Sequence, residues 1–99
     1  MNNRKNLGRP RGFRRINFDP KITYFKPQDL PLSSLKEIEL SAEEVEALRL
    51  KNIKNLDQQS CAKAMKTSQS TFQRILMSAY KKMSKAIVGG QAIKIIKDK

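Results

Sequence analysis

Ninety-nine residues, 38% of them hydrophobic, suffice for one domain around a single small core and leave little room for a deep enclosed pocket. No stretch approaches the ~18 consecutive apolar residues of a membrane span and the N-terminus lacks a signal-peptide apolar region, so a cytoplasmic protein is the default expectation. The chain has no histidine and a single cysteine, Cys61, which excludes an internal disulfide and leaves neither a zinc site nor a Ser-His or Cys-His arrangement to be built from the usual parts. With no glycine-rich phosphate loop either, an enzyme is the least favoured reading, and no cofactor or metal is expected.

The net charge of +12 is unevenly distributed. Residues 1–17 carry six basic side chains (Arg4, Lys5, Arg9, Arg11, Arg14, Arg15) and no acid. Five acids then gather in Glu37, Glu39, Glu43, Glu44 and Glu46, and from Gln58 to Lys97 there are eight basic residues and again no acid. Two basic blocks around an acidic centre point to a polyanion partner on one surface.

In chain order, the opening MNNRKNLGRPRGFRR is polar, contains two glycines and a proline, and has no apolar periodicity; residues 1–17 read as a mobile basic arm, and residues 18–99 as a single domain. In INFDPKITYFKP, Asp19-Pro20 is a turn signal, and Ile22 to Phe25 suits an extended pair or a single strand. Pro27 and Pro31 hold Gln28, Asp29 and Leu30 in a loop, and Ser33 or Ser34 caps a short turn through LKEIEL.

Ser41-Ala42-Glu43-Glu44 has capping-box spacing and starts a helix, with Val45, Leu48 and Ile53 expected inward and Glu43, Glu46 and Arg49 outward. Asn55-Leu56-Asp57 is a short link, with Asp57 as N-cap of a helix from Gln58 to Met65. Ser68 then caps a long helix from Gln69 to about Val88, ended by Gly89-Gly90. The tail QAIKIIK alternates and is compatible with a final strand, for which Ile22 to Phe25 is the candidate neighbour.

The break at Lys66-Thr67-Ser68 splits what would otherwise be one amphipathic helix. Two short helices crossing at an angle need a small residue at the contact, apolar inner faces, and polar side chains projecting from the start of the second helix into the major groove of DNA. Ala62 is the small residue, Cys61 and Met65 are its apolar partners, and Phe72 and Ile75 pack back from the second helix. The polar set is Gln69, Ser70, Thr71, Gln73 and Arg74. Glutamine bonds adenine bidentately and arginine guanine, at roughly 1–3 kcal/mol of discrimination per good pair. Lys66 stands where the turn often has glycine, so a lysine must accept a left-handed backbone there, and Thr67 stands where an apolar residue is common. Phe72, Ile75, Leu76, Ala79, Met83, Ala86 and Ile87 share one face of the long helix, with Lys81, Lys82 and Lys85 away from it. The short preceding helix cannot cover a face of that length alone, so the Ser41-started helix is expected to pack on it as well, and any remaining apolar surface would support a homodimer.

The segments GRPRGFRRI, TYFKP, LSAEEVEALRL, Gln58 to Leu76 and GQAIKI together resemble a small prokaryotic family of predicted DNA-binding proteins of unassigned physiological role, whose helix-turn-helix is similar to region four of the sigma-70 type transcription factors. The resemblance covers nearly the whole chain. It implies a trihelical DNA-binding core with a recognition helix from Ser68 through about Tyr80, and neither a ligand nor an enzyme activity.

The expectation is therefore a mainly α, trihelical helix-turn-helix domain (motif 57–80) with a basic arm and short flanking strands, binding double-stranded DNA sequence-specifically as a transcriptional regulator. Its contact residues are Lys66, Ser68, Gln69, Ser70, Thr71, Gln73, Arg74 and Lys81, with Lys82 a further phosphate candidate. Arg9, Arg11, Arg14 and Arg15 reach the backbone or minor groove. Two alternatives stand beside it. One is a protein-interaction module that binds RNA polymerase through the acidic helix Glu43 to Arg49. The other is an RNA-binding protein, against which there is no aromatic-rich platform for single strands.

Overall fold

The computed structural model describes residues 15–97. Its elements are β1 (Tyr24–Phe25), β2 (Glu37–Ser41), α1 (Ala42–Leu48), α2 (Gln58–Ala64), α3 (Gln69–Gly89) and β3 (Ala92–Ile96). A 3-10 turn spans Leu32–Ser34, and a π-helical turn, Arg49–Ile53, extends α1. The mainly α expectation is thus met in part: three helices stand beside a three-stranded sheet.

The QAIKIIK tail does form a strand beside Tyr24–Phe25, pairing antiparallel with it (Tyr24 opposite Lys94, Phe25 opposite Ile93). It also has a second partner. Glu37–Ser41, part of a segment expected to make a short turn, is instead an extended strand parallel to β3, running from Glu37 opposite Ala92 to Ser41 opposite Ile96. Parallel strands need a long crossover, and here all three helices lie between them in sequence. β3 is therefore the central strand, in the order β1-β3-β2.

Ser41 ends β2 and caps α1. Its hydroxyl accepts from the Glu44 amide at 3.1 Å while Glu44 Oε1 accepts from the Ser41 amide at 2.8 Å, the reciprocal capping box that the spacing implies. The face that α1 buries differs from expectation. Glu46, expected outward, is 1% exposed, and Ile53, expected inward, is 74% exposed. Ala47 and Leu50 take the core positions instead. Two features account for this. The Glu46 carboxylate has a full set of partners inside, described below. Beyond Leu48 the helix also widens into a π turn closed by Lys54 N–H to Arg49 C=O at 2.9 Å, which shifts the phase of every later residue.

The core joins α1 and its π turn (Ala47, Leu50), α2 (Cys61, Ala62), the residue after it (Met65) and α3 (Phe72, Leu76). Phe72 is fully buried, a contribution of about 2–3 kcal/mol from apolar burial alone. Leu48, Leu56, Ala64, Ile75 and Tyr80 pack around this cluster. α1 does pack along α3 beside α2, as its length requires. Cys61 is buried, and burial pushes its thiol pKa up, which makes it a packing residue rather than a nucleophile.

Residues 1–14, with Arg9, Arg11 and Arg14, lie outside the described residues. From Arg15 onward, however, the chain is tied to the domain: the Arg15 amide donates to the Met65 carbonyl at 3.0 Å and the Asn17 amide to Glu46 Oε2 at 3.0 Å. The last three residues of the expected basic arm, 15–17, thus make two backbone hydrogen bonds to the helical part of the chain. Among the described residues no helix is long and apolar enough to cross a membrane.

Candidate functional site

The α2–α3 junction is built almost entirely by local sequence. Asp57 caps α2 by accepting from the Ser60 amide at 2.8 Å. α2 stops because Lys66 adopts a left-handed backbone, φ 55°. The Thr67 amide then reaches back to the Ala62 carbonyl at 3.0 Å, and the Lys66 amide to the Lys63 carbonyl at 3.1 Å. That pair of bonds is the Schellman termination usually completed by glycine. Lysine fills it here, at a backbone cost of about 1–2 kcal/mol. Ala62, 3% exposed, sits at the contact between the two helices, and the Gln58 amide side chain bridges the starts of both by donating to the Gln69 carbonyl at 3.3 Å.

Ser68 caps α3, accepting from the Thr71 amide at 3.1 Å and donating to Thr71 Oγ1 at 3.0 Å; its Oγ also lies 3.3 Å from that of Ser70. Arg74 donates to Thr71 Oγ1 at 3.3 Å. A hydroxyl cluster and one guanidinium are thus gathered over the first two turns of α3. Ser68, Gln69, Ser70 and Arg74 are exposed, while Thr71 and Gln73 are half-buried. Lys66 and Lys81 are exposed, as is Arg15, the one arginine of the expected arm set that falls within the described residues.

Helical phase sorts the rest of α3. Ser70, Arg74, Met77, Lys81 and Lys85 recur at intervals of three or four residues and fall within ~80° of arc, and all five are exposed. Lys82 lies off this stripe. Its ammonium is 3.0 Å from Glu44 Oε1, so it braces α3 against α1 instead of standing free for phosphate. Glu44 is held in addition by the Ser78 hydroxyl, which donates to Oε2 at 2.6 Å. Burial by itself would raise the Glu44 carboxyl; the Ser78 hydroxyl, the Ser41 amide and Lys82 overcome that and hold its pKa below the usual carboxylate range. Of the two residues expected at the end of the inner face, Ala86 is buried while Ile87 is 74% exposed, and both line a shallow groove with Phe25, Pro27 and Ile93.

On the other side of the core, Glu46 is clamped by Arg49, with Nε to Oε1 at 2.8 Å and Nη2 to Oε2 at 2.9 Å, a bidentate pair whose guanidinium also lies 5.6 Å over the Phe18 ring. The Glu46 carboxylate beside it raises the Arg49 pKa against the opposing effect of burial. Glu46 was not legible as an internal group, since its only signal was an Arg three residues on, and that spacing also suits a solvated surface pair. Met77 was likewise not singled out, though its helical phase matches that of Ser70, Arg74 and Lys81. Among the described residues no group of three His, Cys, Asp or Glu is placed to hold a metal ion.

Among the described residues these elements are three helices and a three-stranded sheet, with one polar and basic helix face turned to solvent. The chain belongs to the family described as "Protein of unknown function DUF134", whose model matches residues 2–98. It is 51% identical over 89 residues to a UPF0251 protein of Desulforudis audaxviator, covering 90% of this chain and 58% of that relative. A UPF0251 protein of Caldanaerobacter subterraneus subsp. tengcongensis is 47% identical over 89 residues, with 90% and 75% covered, and one of Halothermothrix orenii 44% identical over 88 residues, with 89% and 65% covered. The chain thus spans from just over half to three quarters of the length of these relatives. No solved structure matches it.

Proposed function

We propose that the chain binds double-stranded DNA sequence-specifically and acts in transcriptional regulation, with α2, the Lys66 turn and α3 serving as a helix-turn-helix similar to that of sigma-70 region four. One observation carries the reading: a buried, glutamine-bridged α2–α3 junction presents the start of α3 as an exposed polar and basic stripe, in a half of the chain where residues 58–97 contain no acid.

The dimensions suit this use. From Ser70 to Met77 α3 rises ~10 Å, within the ~12 Å width of a major groove, while Lys81 and Lys85 lie farther along, at the level of the groove wall. Gln69, Gln73 and Arg74 then face base edges, Ser68, Ser70, Thr71 and the α3 amides face phosphate, and Lys66 and Lys81 supply charge. Arg15, anchored at its amide, starts the basic segment running back through Arg14, Arg11 and Arg9, which under this reading contacts the DNA backbone or minor groove. The interaction-module alternative is less well supported, because Glu44 and Glu46 of its acidic helix direct their carboxylates to internal partners.

Selection from a random duplex DNA pool near physiological salt, where bare phosphate attraction is weakened, tests the proposal. Enrichment of a motif is the expected result, and its symmetry reports whether two copies act together. Salt-sensitive binding with no enrichment would reduce the protein to a basic surface without sequence recognition.

A further inference from the structure

The stripe on α3 contains one side chain that phosphate attraction does not explain. Met77 lies between Arg74 and Lys81 and is 45% exposed. It belongs neither to the core cluster nor to its surrounding shell of Leu48, Leu56, Ala64, Ile75 and Tyr80. The inward positions of α3 are already filled by Phe72, Leu76, Ala79 and Ala86, so Met77 is not a core residue displaced by local crowding.

Helical side chains lean toward the N-terminus of their helix and cover the preceding turn, which carries the Met77 thioether back over Gln73 and Arg74. If α3 enters a major groove as proposed above, Met77 therefore lies at the level of the base edges rather than on the phosphate wall. The edges of unmodified DNA exposed there are hydrogen-bond donors and acceptors with a single apolar exception, the C5-methyl group of thymine. A flexible, polarizable thioether has no hydrogen bond of consequence to make with the polar edges and packs readily against a methyl group.

We propose that Met77 is a specificity-determining residue that reads the 5-methyl group of a thymine in the target duplex. The inference rests on the DNA-binding reading and adds a base identity to it: the site that α3 recognises contains a thymine whose methyl group is enclosed by Met77, next to the bases met by Gln73 and Arg74.

The test uses the full chain and the duplex recovered by selection, with each thymine replaced in turn by deoxyuridine. That change preserves pairing and the O4 acceptor and removes only the methyl. For the wild-type protein one position should lose affinity by about fourfold, equivalent to ~0.8 kcal/mol for one methylene-sized apolar group. Met77→Ala and Met77→Gln, both at an exposed position and both checked for native circular dichroism and melting, should bind the thymine and uridine versions of that position equally. Specific binding indifferent to every uridine replacement overturns the Met77 role and leaves the DNA-binding reading standing. A uridine-sensitive position that stays sensitive in both variants assigns the methyl contact to another residue and also overturns it. Failure to recover any preferred duplex removes both readings together.

Discussion

α1 and α3 both carry charge and dispose of it in opposite directions. In α1, Glu44 and Glu46 turn inward and are fully occupied: Glu44 by Ser41, Ser78 and Lys82, Glu46 by Arg49 and the Asn17 amide. In α3, Arg74, Lys81 and Lys85 turn outward, and among the described residues none of them has an acidic partner. A buried charge persists in a small domain only when its hydrogen-bonding capacity is met, so Glu44 and Glu46 serve the fold. A row of solvated cations adds nothing to the fold and repels itself, so the stripe on α3 fits a function outside the molecule. Charge count alone does not separate the two helices; the direction of the side chains does.

The largest effect is expected at the inward end of this contrast. Glu46→Ala strips Arg49 of its bidentate partner and leaves the Asn17 amide without an acceptor, with a loss of about 2–3 kcal/mol in denaturant unfolding, moderated because Arg49 is part-exposed and can regain water. DNA affinity per folded molecule should hardly change. A large affinity loss at full stability would put Glu46 in the binding surface and break the comparison.

Arg74→Ala should behave in the opposite sense. Specific binding should weaken by roughly 1–3 kcal/mol, with a smaller decline on non-specific duplex and little change in melting temperature. Equal losses on specific and non-specific DNA would reduce Arg74 to a phosphate contact.

The smallest and most discriminating pair is Lys81 and Lys82, neighbours in sequence that face different ways. Lys81→Ala should leave stability alone and reduce the slope of log affinity against log salt by about one. Lys82→Ala should leave that slope nearly intact and lower stability by up to ~1 kcal/mol, since the ion pair with Glu44 is partly open to solvent. Identical behaviour of the two would mean that Lys82 leaves Glu44 when DNA is present.

How much of this was legible depends on how local each determinant is. The caps at Ser41, Asp57 and Ser68, the left-handed turn at Lys66, the stop at Gly90 (φ 65°) and the inward setting of Phe72 all follow from residues within one or two turns of one another. The outward setting of Ser70 and Arg74 came with them, because an uninterrupted helix carries phase faithfully along its length. Inside α1 the same reasoning failed. The π turn at Arg49–Ile53 broke the phase, and Glu46 was drawn inward by a backbone amide 29 residues away.

By itself, then, the sequence determined the start of each helix, the ends of α2 and α3, the α2–α3 junction and the outward setting of Ser70 and Arg74, since caps, turn geometry and periodicity are short-range. Only the tertiary structure decided that Glu37–Ser41 is a strand, that it lies parallel to β3, and that Glu44 and Glu46 of α1 point inward. Those features depend on partners brought together from distant parts of the chain, as when Glu37 meets Ala92, and no local pattern specifies which distant segment will supply the missing hydrogen bonds.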